Sequence, residues 1–162
     1  MKNSATIEDH PMKKPKCPDA FTAVFGRELV AYLGGDASKI KDGWCWRDFG
    51  RNFGRKYPEL LTGAMRYFET ATSGDPAWAA YYLARDCGAE KEWAMRICET
   101  TRVGYPALAA YYLVRDCGVD KDWAMRICET ATSGDPAWPA YCLVRDCRAE
   151  KERAIRVCET AT

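Results

Sequence analysis

Histidine is almost missing from this chain: there is one, His10, in 162 residues. It lies in MKNSATIEDHPMKKPKCP, residues 1–18, a stretch rich in lysine and proline that reads as a disordered tail. With no histidine in the part expected to fold, the commonest general base is gone, and with it any Cys-His or Ser-His-Asp arrangement. No glycine-rich phosphate loop occurs, and the pair Gly34-Gly35 reads as a helix stop. No Cys-x2-Cys pair supplies the close-spaced ligands of a structural zinc site. No apolar run approaches the roughly 20 residues needed to span a bilayer, and the N-terminal tail lacks the apolar stretch of a secretory signal. A net charge of +1 gives no strong overall field toward nucleic acid or membrane. The expectation is a cytoplasmic protein with no catalytic site, cofactor or metal.

What is present is repetition. Residues 71–160 hold one 30-residue paragraph three times, starting at Ala71, Thr101 and Ala131. A fixed period of this length marks a stacked-repeat architecture, in which each unit leans on its neighbours. Six of the nine cysteines follow the period: Cys87, Cys117 and Cys147 at one phase, Cys98, Cys128 and Cys158 at another. An odd count without an export signal favours free thiols in a reducing compartment. Equivalent cysteines would lie about 10 Å apart, one helix spacing, too far to share a metal. They read as small buried hydrophobes. Cys17, Cys45 and Cys142 break the period, and one of them is the candidate for a reactive thiol, although no cue marks a lowered pKa.

Within one repeat the spacing predicts two helices. Asp75 is placed to cap the first, and Pro76 fits its first position, where a missing N–H costs nothing. That helix runs to about Cys87, with Ala80, Leu83, Ala84 and Cys87 on one face and Trp78, Tyr81, Tyr82 and Arg85 on the next. Gly88 suits the left-handed position after the helix end. The second helix starts near Glu90 and buries Trp93, Ala94, Ile97 and Cys98, leaving Lys91, Arg96 and Glu99 to water. Alanines such as Ala79, Ala80 and Ala94 let the helices approach closely. A lone hairpin gains roughly 1.5–3 kcal/mol per large apolar side chain it buries. Ordering its backbone costs about 1–2 kcal/mol per residue. Its stability must therefore come from stacking.

The same register extends backwards. Residues 64–70, Ala-Met-Arg-Tyr-Phe-Glu-Thr, match residues 94–100 of the first full copy, so residues 19–70 read as a cap helix followed by a divergent hairpin. The cap covers residues 19–33, and the divergent first helix runs from Trp44 to Lys56, broken before Pro58. In the last copy Arg148 stands for Gly88 and Arg153 for Trp93, as expected where an outer face meets solvent. Residues 71–162 show no dedicated cap, so the C-terminal face is expected to stay partly open or to self-associate.

Ala79-x3-Leu83-x3-Cys87-Gly88 resembles the first-helix pattern of Sel1-like repeats, relatives of the tetratricopeptide repeat. Gly118-Val119-Asp120-Lys121-Asp122-Trp123-Ala124 is similar to that family's inter-helix stretch, with the loop shortened. The resemblance covers about residues 71–160. It implies an all-α fold, an α-solenoid of stacked antiparallel helix hairpins, serving as an adaptor or scaffold in protein complexes.

Two surfaces carry the candidate binding residues. Arg85, Arg115 and Arg145 are expected to stack as a ladder beside Asp86, Asp116 and Asp146, with Tyr82 and Tyr112 adding aromatic area and Cys142 ending that row. Tyrosine and arginine are the usual anchors for a protein or peptide partner. The plainer reading is salt bridges and packing between repeats. The alternative partner is nucleic acid: Arg47, Arg51 and Arg55, with Lys56 beside them, form a basic stripe able to hold phosphates. Asp48 dilutes that stripe, and its plainer reading is a solvated helix face.

Overall fold

A computed structural model describes residues 58–161 apart from residue 73. The expected cap helix, the Trp44–Lys56 helix with its basic stripe, His10, Cys17 and Cys45 all lie outside the described residues. Among the described residues the chain is all-helical, with seven helices: α1 Pro58–Glu69, α2 Pro76–Cys87, α3 Lys91–Thr100, α4 Pro106–Cys117, α5 Lys121–Thr130, α6 Ala137–Cys147 and α7 Lys151–Thr160. Each 30-residue copy supplies two of them.

Local chemistry sets the helix ends. Asp75 Oδ1 accepts the backbone N–H of Trp78 at 3.0 Å, and Pro76 opens α2, as the spacing predicts. In the second copy Tyr105 occupies the cap position and supplies no side-chain bond, so α4 relies on Pro106 alone. In the third copy Asp135 accepts from the N–H of Ala137 at 2.9 Å, and α6 starts one residue later than its counterparts. Pro139 is tolerated inside α6 because the first four N–H groups of a helix have no acceptor within it.

α2 and α4 end at glycines in the left-handed region, Gly88 at φ 79° and Gly118 at φ 69°. Arg148 takes the same conformation, φ 57°, at the end of α6. A Cβ at Gly88 or Gly118 would meet nothing within 4 Å, so the arginine fits in space. Its cost is the backbone conformation alone. The Arg148 carbonyl accepts from Lys121 Nζ at 3.0 Å, which ties this turn to α5.

The helices pack on each other in the order of the copies. α2 contacts α4 and α4 contacts α6, so the first helices of the three copies lie in a row. α3 rests on α2 and α4, α5 on α4, α6 and α7, and α6 on α7; α1 lies against α2. The core repeats with them. Leu83, Leu113 and Leu143 are fully buried, each among alanines of its own helix, and Trp93 and Trp123 are buried beside Ala94 and Ala124. The stripe expected of the second helix, Trp93, Ala94, Ile97 and Cys98, is buried as a set. Between α3 and α4 the chain passes so close to the start of α2 that a Cβ at Gly104 would sit 2.8 Å from the Asp75 Cα.

Candidate interaction surface

Two kinds of side-chain hydrogen bond recur from copy to copy. On the first helices, the Tyr81 hydroxyl donates to Asp116 Oδ2 and the Tyr111 hydroxyl donates to Asp146 Oδ2 at 2.5 Å, each across 35 residues. On the second helices, the Trp93 indole N–H donates to Glu69 Oε1 at 3.0 Å and that of Trp123 to Glu99 Oε1 at 2.8 Å, each across 24 residues. The third copy has Arg153 at the tryptophan position. Its Nε and Nη2 donate to both carboxylate oxygens of Glu129 at 2.7 and 2.9 Å, again across 24 residues. The spacing placed Arg153 toward solvent, but it is half-buried and takes over the tryptophan's bond. Glu99 is exposed, as expected, and also accepts the Trp123 indole N–H between copies.

The arginine ladder forms beside these bonds. Arg85, Arg115 and Arg145 each hold the next residue in a two-pronged pair: Asp86 at 2.8 and 3.0 Å, Asp116 at 2.7 and 2.9 Å, Asp146 at 2.6 and 2.7 Å. Arg85 Nη1 also donates to the Tyr81 hydroxyl at 3.0 Å. Each guanidinium lies over a ring, most closely Arg115 over Tyr112 at 4.3 Å. The hydrogen bond from Arg115 is the main reason the Asp116 carboxyl is held below its ordinary range, and Arg145 does the same to Asp146. Burial first, and then the Asp116 carboxylate, push the Tyr81 phenol above its usual value.

Of the expected binding row, Tyr82 is buried, Tyr112 is half-buried, and Arg85, Arg115 and Arg145 are exposed with their forks occupied by aspartates. Trp78 lies across Tyr112, ring centroids 5.0 Å apart and nearly perpendicular, which joins the rings of the first and second copies. Sequence reasoning missed Tyr81, Tyr111, Asp116 and Asp146 as the linking set. Most residues of a repeat recur at the same period, so periodicity could not single these four out.

The cysteines follow burial. Cys87 and Cys128 are pushed up to about 12, chiefly by desolvation, and Cys98 is raised further by the same cause. Cys142 is buried in the tyrosine row, and its burial likewise raises its pKa, which keeps it a thiol. Cys158 is exposed, unlike Cys98 and Cys128 at the same phase.

That exposure belongs to a larger difference at the end of the third copy. Tyr81, Tyr111 and Tyr141 occupy one position of the repeat; the first two are 1% and 4% exposed and the third is 50% exposed. Met125 is fully buried, whereas Ile155 at its position is 46% exposed. Trp138, which stacks on Tyr141 at 5.5 Å, is the most exposed large hydrophobic side chain among the described residues, and its counterpart Trp78 is half-buried. Tyr141, Val144, Lys151, Ala154, Ile155 and Cys158 line a mostly apolar groove of about 410 Å³. Among the described residues no three side chains of His, Cys, Asp or Glu cluster as metal ligands, and no helix is long and apolar enough to cross a membrane. The chain matches no family model, no curated protein and no solved structure.

Proposed function

We propose that this chain is a non-enzymatic protein-interaction scaffold, an α-solenoid of stacked antiparallel helix hairpins of the kind that Sel1-like and tetratricopeptide-like repeats build. Its reading surfaces are the row of Arg85, Tyr112, Arg115 and Arg145, for a protein or peptide, with the buried Tyr82 supporting it from below, and the apolar face at the end of the third copy. The order of helix contacts supports the stacking, because first helices meet first helices and each connection within a copy is short. One observation carries the function. Tyr141 is half exposed at a position that is buried in both preceding copies, beside an exposed Trp138 and Ile155. A contiguous apolar face rimmed by charge is the usual mark of a protein contact. The row contributes shape and aromatic area, since its arginines already hold aspartates.

Affinity capture from the native cell tests this, with the wild-type chain and an Ile155→Glu variant run side by side. A partner retained by the first and lost from the second supports the end face. A partner kept by both moves the contact to the row, where Arg115→Ala is the next variant. A chain that stays monomeric and retains nothing overturns the scaffold reading.

A further inference from the structure

We infer that the end face of the third copy is built to receive a two-helix partner whose first helix carries alanine, leucine and an Arg-Asp pair in the spacing Ala-x2-Leu-Val-Arg-Asp. This rests on the scaffold reading and names the partner that the face would take. The argument is continuity with contacts the chain already makes. Within the chain the same face occurs twice more, at the ends of the first and second copies, and both times its occupant is visible. The face of the first copy is covered by α4, and that of the second by α6.

Both covering helices share one pattern. Ala110, Leu113 and Asp116 in α4 recur as Ala140, Leu143 and Asp146 in α6, and the four apolar side chains are fully buried. In both, the aspartate accepts the hydroxyl of the preceding copy's tyrosine while the arginine before it holds the carboxylate ionised. Tyr141 is the third tyrosine of that series. Its ring is already fixed by Trp138 and lies under Arg145 at 5.6 Å, and among the described residues its hydroxyl has no hydrogen-bond partner. The apolar floor is also a register copy: Val144 for Val114, Ala154 for Ala124, Ile155 for Met125 and Cys158 for Cys128. Alanine in the occupant is what lets a helix settle on such a floor at close range. The aspartate gives the buried phenol an acceptor and sets the register.

The test uses the whole chain with residues 103–130 appended directly after Thr162, which keeps the 30-residue register and brings a second Asp116 within reach of Tyr141. At the resulting high effective concentration the appended hairpin docks if the face accepts it. The expected result is added far-UV helical signal and a thermal midpoint raised by roughly 5 °C. Tyr141→Phe then lowers the extended chain's midpoint by roughly 3 °C and leaves the unextended chain unmoved. Changing the appended aspartate to asparagine has the same effect, and the two changes together cost no more than either alone. An extension that adds no helical signal overturns the inference. So does an extension whose gain is indifferent to both changes. Sedimentation of the unextended chain supplies the rival occupant: self-association abolished by Ile155→Glu assigns the face to a second copy and also overturns it. A captured partner that is lost with Ile155→Glu but contains no helical hairpin would leave the scaffold standing and remove only this inference.

Discussion

Tyr81 shows how one hydroxyl joins two copies. It accepts from Arg85 of its own helix and donates to Asp116 of the next, and its ring is buried. Removing the acceptor leaves a buried donor unsatisfied, so Asp116→Ala is expected to cost about 1–2 kcal/mol in urea unfolding. Tyr81→Phe combined with Asp116→Asn is expected to show a coupling of about 1 kcal/mol, because the two side chains serve one bond. Acid should act on the same groups. Asp116, Asp146 and Glu129 all have folded pKa values below their ordinary 3.8, 3.8 and 4.5, because arginines bond their charged forms. Their stabilisation is complete above those ordinary values and is lost as pH falls through the folded ones. Asp75 has the opposite sign: burial raises it, so its contribution is present at low pH and is lost as pH rises through its folded pKa. With three groups against one, the thermal midpoint should fall below roughly pH 4, and it should fall more steeply in Asp75→Asn.

At the scale of the element, the ends of the helices and the seams between them offer sharper tests. Arg148 is exposed and holds a left-handed backbone, and glycine stands there in the other two copies. Arg148→Gly should therefore stabilise the chain by about 1 kcal/mol, read as a shift of the urea midpoint at constant slope. The seam between α5 and α7 is held by Arg153 and Glu129 where the other copies use a tryptophan. Arg153→Ala loses that pair and the packing of the arginine stem, about 1 kcal/mol. Arg153→Trp restores the indole bond of the other copies and should come within about 1 kcal/mol of the wild type. Equal loss in both variants would show that the seam does not depend on this bond.

For the whole molecule, contacts run between neighbouring copies, so stability should behave as a sum of units and junctions. Ending the chain at Thr130 removes α6 and α7, uncovers Tyr111 and leaves Asp146 absent as its acceptor. The shortened chain is expected to unfold at a lower temperature while keeping the circular-dichroism signal of its remaining helices. Collapse of all helical signal would contradict a locally coupled stack.

Much of the fold was legible in the chain because its causes are local. Asp75 before Pro76, Gly88 after Cys87 and the spacing of Trp93, Ala94, Ile97 and Cys98 act within a turn or two of helix, and the structure places them as that chemistry requires. The sequence by itself determined where helices begin, end and show an apolar face. Only the tertiary structure decided which tyrosine of the Tyr81-Tyr82 pair reaches the next copy, that Glu99 accepts the Trp123 indole, and that Tyr141 lies open where Tyr81 and Tyr111 are covered. The physical reason is that near-identical copies carry near-identical residues, whereas burial and bonds across 24 or 35 residues depend on whether another copy lies alongside.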